Sequence, residues 1–238
     1  MATSGSKPKV PARTAYWGDT RDLTEKNRVK IGFRAKQVWK TAPAVFTKHF
    51  LKILGHPVME DWEIPYMKRL AHIATMNGGT VLEVGFGMGI SARFIQQADI
   101  KRHIIIDMNH QVADRARDFS LKAKHKVVVL EGLWEEVIDQ IPDNSLDGIL
   151  FDTYPLTKAE IHRNHFAFFR AAFRKLKKDG VLTYYSDEIK SFHPAHIKKL
   201  LHAGFKEANI SSQVVKVIPP KDCEYWKSST ILAPIVKK

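Results

Sequence analysis

The chain has 238 residues, 44% of them hydrophobic and 26% charged, with a formal net charge of +13, which suits one α/β domain with a sizeable core and an appended segment. No apolar run approaches the roughly 18 residues that span a bilayer, and the N-terminus lacks the apolar stretch of a secretory signal. The single cysteine, Cys223, excludes an internal disulfide and a cysteine metal cluster, so a reducing, cytoplasmic compartment and no metal are expected.

Residues 1–30 read as a flexible basic arm, polar and interrupted by Pro8 and Pro11. Residues 1–40 hold ten Lys/Arg and three acids, or +7 of the +13. Two readings stand: a solvated arm, or an arm that contacts an acidic or nucleic-acid partner. Tyr16 and Trp17 do not form the aromatic–basic repeat of a stacking platform. Residues 31–238 read as one domain, with 31–78 a helical lid and 79–238 a sheet core. Within the lid, Phe50, Ile53 and Leu54 are spaced for one helical face until Gly55-His56-Pro57 breaks the run. A second helix, near 66–76, sets Met67, Leu70, Ile73 and Ala74 on one side.

From residue 79 the pattern alternates. Strands are expected at 80–84, 103–107, 126–130, 146–151, 180–185, 213–218 and 229–236. Helices are expected at 89–97, 110–120, 134–140, 158–177 and 194–203. This is an α/β fold: a doubly wound, mostly parallel sheet of seven strands with helices on both faces. Residues 219–228 hold no helical pattern, so the last two strands should pair as an antiparallel hairpin. That ending separates a methyltransferase-type Rossmann-like sheet from the fully parallel dinucleotide sheet.

The first core strand runs into TVLEVGFGMGIS, with glycines at 85, 87 and 89. Such a loop lets backbone approach a nucleotide-like ligand closely. Ile90 occupies the place of the last glycine of the dinucleotide fingerprint. Glu83 before the loop suits a cationic amino-acid moiety and would repel a pyrophosphate. Asp107, ending the second core strand, can accept both ribose hydroxyls; it can also cap the next helix. Trp134, after the third strand, reads as a flank for an adenine ring or as core packing. Together these suit S-adenosylmethionine better than a nicotinamide dinucleotide.

The fourth strand ends in Asp152-Thr153-Tyr154-Pro155, at the edge where open α/β sheets bind ligands. An acid beside an aromatic suits an acceptor nitrogen: the carboxylate orients it and the ring walls a cation. Glu63, between Trp62 and Pro65 in an apolar stretch, should be buried and needs a cationic partner. Glu60 and Asp61 look solvent-facing.

The stretches ILGHPVMEDWEIPYM, VLEVGFGMGIS, GLWEE, DGILFDTYPL, GVLTYY and VIPPKDCEYW resemble guanidinoacetate N-methyltransferase, a class I S-adenosylmethionine-dependent family that makes creatine from guanidinoacetate. Related domains methylate the internal guanidine nitrogen of arginine, free or in proteins. The resemblance implies that Trp39, Met59 and Met67 close over the cofactor and that Glu83, Val84, Gly85, Phe86, Gly87 and Met88 form its loop. It further implies that Asp107 holds the ribose, that Met108, Asn109, Trp134 and Glu135 line the adenine, and that Asp152 adjoins the cofactor. Glu63 and Asp152 would clamp a guanidinium as the catalytic pair, with Tyr154 beside them. Asp187 and Glu188 stand where the family grips a substrate carboxylate with Leu-Thr, so a more cationic guanidine or a peptidyl arginine fits the acceptor end. The basic arm supports one further class of reading, a cofactor-binding adaptor or a nucleic-acid-associated methyltransferase.

Overall fold

A computed structural model of the protein describes residues 18–238. The expected disorder around Pro8 and Pro11, and the aromatics Tyr16 and Trp17, lie outside the described residues. The remainder of the expected arm is helix α1 (Gly18–Ile31), not a flexible tail. It ends at Gly32, whose φ of +84° suits a residue without Cβ and whose N–H donates to the Arg28 carbonyl. The short helix α2 (Lys36–Thr41) follows and carries the buried Trp39.

The expected helix around Phe50–Leu54 is a strand. Residues 44–60 form a three-stranded antiparallel meander of β1 (Ala44–Phe46), β2 (Phe50–Ile53) and β3 (His56–Glu60). Leu51 and Ile53 are buried while Phe50 and Lys52 are half-exposed, a period of two. Leu54 (φ +52°) and Gly55 (φ +80°) are the two central residues of the β2–β3 hairpin, across which Ile53 pairs with His56. Positive φ at both positions matches the twist of a two-residue hairpin turn. The expected break at Gly55-His56-Pro57 is thus a hairpin turn at Leu54-Gly55 running into β3, and the lid is mixed rather than helical.

The second lid helix forms as expected, as α3 (Ile64–Ala74), with Tyr66, Met67, Leu70 and Ile73 fully buried. The rest is the expected alternation: β4 (Thr80–Val84), α4 (Ile90–Gln97), β5 (Arg102–Asp107), α5 (His110–Ser120), β6 (Lys126–Glu131), α6 (Trp134–Val137), β7 (Leu146–Phe151), α7 (Asn164–Lys175), β8 (Leu176–Tyr184), α8 (Pro194–Ala203), β9 (Ile210–Lys216) and β10 (Thr230–Lys237). Part of the expected helix 158–177 is replaced by a turn of 3-10 helix and a loop before α7.

The sheet order is β6-β5-β4-β7-β8-β10-β9, with β10 antiparallel to both β8 and β9 and the other pairs parallel. Alternate residues of the central strands feed two cores. Val81, Ile105 and Leu150 pack with α3 and α4, whereas Leu82, Ile104, Ile149 and Phe151 pack with α7 and α8. The central strands therefore end rigidly at one edge, and the lid meander and α2 lie across that edge. Among the described residues no helix is long and apolar enough to cross a membrane.

Candidate active site

A cavity of about 350 Å³ opens over the carboxyl ends of β4 through β8. Its floor comes from the sheet loops and its roof from α1, α2 and β2–β3. One end is built largely from backbone. Gly85 (φ +93°) lies so close to β7's continuation that a Cβ there would sit 1.9 Å from the Asp152 carbonyl oxygen. Only glycine allows that approach. A Cβ on Gly87 would meet the Met59 sulfur at 3.0 Å, and the Met88 N–H points at the same sulfur from 3.4 Å.

Asp107 ends β5 and accepts the Phe86 N–H at 2.9 Å on one oxygen and the Asn109 N–H at 3.0 Å on the other. Burial pushes its carboxyl up to about 6 against these hydrogen bonds, and Glu83 adds like charge. Its own chain thus fixes the carboxylate at the rim of the glycine loop. Asn109 is the cap of α5, as its side chain accepts from the Val112 N–H. Its amide also donates to the Trp39 and Ala42 carbonyls at 2.8 and 2.9 Å, which ties α2 to the sheet. Asn109 borders the cavity, but its hydrogen-bonding capacity is spent on the chain itself.

The opposite end is built from side chains. Glu63 is 3% exposed, on the turn between β3 and α3, and accepts the Tyr225 hydroxyl at 2.6 Å and the Glu60 N–H at 2.9 Å. Burial, then the charge of Asp152, pushes it up to about 8 despite both bonds. Asp152 follows β7, and burial, then Glu83 and Asp187, push it up to about 7. Asp187 also faces the cavity, from a left-handed backbone (φ +55°), with His162 Nδ1 at 3.3 Å behind it. Burial opposes its ionisation, but His162 and then Arg28 hold its carboxyl well below the usual range. Tyr185 lines the cavity too, and its buried hydroxyl has no hydrogen-bond partner among the described residues.

Several expected site residues stand elsewhere. Glu83 is fully buried beneath the loop, where it accepts the Ser91 hydroxyl and lies 3.1 Å from His103 Nε2, so it does not reach the cavity. Its influence is electrostatic, through Asp107 and Asp152. Phe86 packs on Phe119 at 5.6 Å and Met67 lies in the core under α3, both away from the lining. Met88 contributes backbone to the loop rather than lining. Glu188 is 1% exposed and binds the His193 N–H and His196 Nδ1, each at 3.2 Å, which joins β8 to α8; it is a structural acid. Glu60, expected to face solvent, is half-buried and accepts the Trp62 indole N–H at 2.7 Å.

The other expected residues do line the cavity: Trp39, Met59, Val84, Gly85, Gly87, Asp107, Met108, Asn109, Trp134 and Glu135 toward one end, and Glu63, Asp152, Tyr154 and Asp187 toward the other. Trp134 does both things its residue type allows. It borders the cavity and sets its edge against Phe168 at 5.1 Å. Tyr154 stacks on Trp39 at 5.5 Å and hydrogen-bonds His56 Nδ1 at 3.0 Å, so it also ties the end of β7 to α2 and β3.

Two further side chains line the cavity without a local sign in the sequence. Tyr225 lies in the VIPPKDCEYW stretch, far along the chain from the acid it serves, although a buried Glu63 demanded a partner. Arg28 is one of the basic residues of the N-terminal segment, and α1 brings its guanidinium 4.5 Å above the Tyr154 ring at the cavity mouth.

The donor set fits a cofactor with a ribose and a cationic end. A glycine cradle that a Cβ would fill, a fixed rim carboxylate and the buried Trp39, whose indole N–H has no partner among the described residues, sit at one end. Two carboxylates short of counter-charge, Glu63 and Asp152, sit at the other, with Asp187 beside them. Among the described residues no His/Cys/Asp/Glu group is arranged for a metal.

A family model described as guanidinoacetate N-methyltransferase matches residues 28–238. Protein arginine N-methyltransferase 2 of Candida glabrata is 35% identical over 104 residues, 41% of this chain and 25% of that protein. Its counterpart in Saccharomyces cerevisiae is 28% identical over 137 residues, 54% of this chain and 32% of that protein. The chain thus spans only a quarter to a third of these relatives' length. Among solved structures, a spermidine synthase in complex with the transition-state analogue AdoDATO superposes with a TM-score of 0.59 at 14% identity, over 82% of this chain and 72% of that one. M. jannaschii TYW2 in complex with AdoMet gives 0.52 at 15% identity, over 83% and 85%. At such identities the likeness shows the fold, a class I methyltransferase sheet.

Proposed function

The chain belongs to the guanidinoacetate N-methyltransferase family, and from that premise we propose that it methylates a guanidino nitrogen held between Glu63 and Asp152. The cofactor is S-adenosylmethionine, which supplies an electrophilic methyl group on a sulfonium. Gly85 and Gly87 would admit its amino-acid end, Asp107 its ribose, and Trp39 and Met59 would cover it. The observation that carries the acceptor reading is a buried pair of cavity-lining carboxylates, Glu63 and Asp152, both with raised proton affinity and with no basic side chain hydrogen-bonded to them among the described residues.

A guanidinium delocalises its charge over three nitrogens and is a poor nucleophile. Two carboxylates draw that charge onto the nitrogens they bind. The third nitrogen recovers lone-pair character and faces the glycine loop. Tyr225 and the Glu60 N–H fix Glu63, so the clamp is set before the acceptor arrives. The attacking nitrogen sheds a proton, and Asp152, with its carboxyl near 7, is placed to accept it at neutral pH.

The family favours guanidinoacetate as acceptor. The arginine methyltransferase relatives favour arginine, free or in a protein. Methyl transfer from labelled cofactor, followed by mass spectrometry of the products over guanidinoacetate, arginine, an aminoalkylguanidine, a neutral alkylguanidine and an arginine-rich protein, tests the reading. We expect a methylated guanidine from at least one. Turnover of none would overturn it.

A further inference from the structure

The acceptor end holds one carboxylate more than a guanidinium clamp requires. Glu63 and Asp152 account for the clamp. Asp187 faces the same cavity from the end of β8, and the three acids form a chain of influence. Asp152 raises the proton affinity of Glu63, and Asp187 raises that of Asp152. From the protein side Asp187 is answered by His162, 3.3 Å away and only 5% exposed. From the cavity side it is answered by Arg28, which reaches in from α1. The other cavity-lining cation of the roof, Lys36, is already engaged, at 3.3 Å from Glu135 and 3.2 Å from Glu160.

Arg28 is a guanidinium already attracted to this end. It stacks on Tyr154, its field reaches both Asp152 and Asp187, and its Nε is buried without a hydrogen-bond partner. It is held by charge, the Tyr154 ring and a hydrogen bond to Tyr154, with no bidentate carboxylate, so a better-matched cation can displace it. The cavity therefore attracts positive charge at two places, the Glu63–Asp152 clamp and the Asp187 corner. An acceptor with a carboxylate on its tail would set that carboxylate against Asp187 in a water-poor pocket. One with a second cation would pair with it.

We infer that Asp187 selects the acceptor, favouring a guanidine that carries a second cationic group, such as an aminoalkylguanidine, over one that carries a carboxylate. This rests on the guanidino reading above. Asp187 acts through the acceptor's tail, away from the reacting nitrogen.

The test compares kcat/KM for 4-aminobutylguanidine, butylguanidine and guanidinoacetate in the wild type and in Asp187→Asn. Asparagine adopts the left-handed backbone of this position as readily as aspartate does, so the loop keeps its shape. The wild type should prefer the aminobutyl over the carboxylate substrate by about 100-fold, with the neutral one between, as the sign of one near charge changes in a low-dielectric pocket. Asp187→Asn should shrink that ratio about tenfold or more, chiefly through KM. Arg28→Gln should lower the KM for the aminobutyl substrate, because a competing cation is gone. Guanidinoacetate as the best wild-type substrate, or a ratio unmoved by Asp187→Asn, overturns the inference. Turnover of butylguanidine without discrimination by tail charge refutes Asp187's role and leaves the guanidino reading standing. Turnover of no guanidine at all refutes both.

Discussion

The two ends of the cavity are built in opposite ways. At the cofactor end, backbone does the work: a glycine pressed against the Asp152 carbonyl, and an Asp107 whose two oxygens each accept a main-chain N–H. At the acceptor end, Glu63 accepts the Tyr225 hydroxyl, Asp187 is paired with His162, and Asp152 receives no hydrogen bond from a basic side chain among the described residues. The first end is held in place by main-chain contacts before any ligand arrives. The second stores unfavourable electrostatics that a cation relieves. Binding a nucleotide-like group thus depends on shape, and choosing the acceptor depends on charge.

Damage to the two ends should therefore separate. The largest effect should come from Glu63→Gln and Asp152→Asn. Each should cut kcat/KM for a guanidine by about 10²–10³-fold, the scale of losing one preorganised charge partner, with cofactor affinity by calorimetry changed less than about threefold. Either variant at full rate would break the clamp assignment. Because each variant also removes a buried acid with raised proton affinity, the ligand-free protein should become more heat-stable at pH 8, not less. Folded Glu63 and Asp152 hold protons more tightly than they do unfolded, so the stability they contribute falls as pH rises from the ordinary carboxylate range to about 8.

A smaller and opposite pattern should follow from Gly85→Ala. Its Cβ has no room beside the Asp152 carbonyl and its φ is positive, so stability should fall by on the order of 2–4 kcal/mol in thermal melts, and cofactor affinity should fall with it. A variant that melts and binds cofactor like the wild type would show that the loop is not the rigid element described.

The same contrast explains what the sequence disclosed. The cofactor end is nearly contiguous: strand, three glycines, and an acid at the next strand's end. Backbone geometry of that kind leaves a local signature, and β4, β7, α5 and α8 run over the residues expected of them. Glu83 was misplaced because a strand residue's face depends on which neighbour it meets, and His103 and Ser91 claim it from inside the sheet. The acceptor end is assembled from separated pieces, at residues 28, 63, 152, 187 and 225. Glu63 and Asp152 were legible as acids out of place, one in an apolar stretch and one at a strand end. Tyr225 and Arg28 were not, because nothing local says which distant acid a tyrosine or an arginine will face. Glu188 shows the converse. Beside Asp187 in sequence, it points the other way and is spent on α8. The meander was misread because a Leu-Gly turn and four apolar residues fit a helix break as well as a hairpin, and only pairing decides.

The central claim is that the acceptor binds as a guanidinium between two ionised carboxylates that hold protons when the cavity is empty. Calorimetric titration of a guanidine into the protein loaded with S-adenosylhomocysteine, at pH 7 in buffers of different ionisation enthalpy, measures this directly. Release of about one proton per guanidine bound is expected, falling well below that in Glu63→Gln, since carboxyls near 8 and 7 must ionise to hold the cation. Tight binding with no proton released, unchanged in Glu63→Gln, would contradict the account.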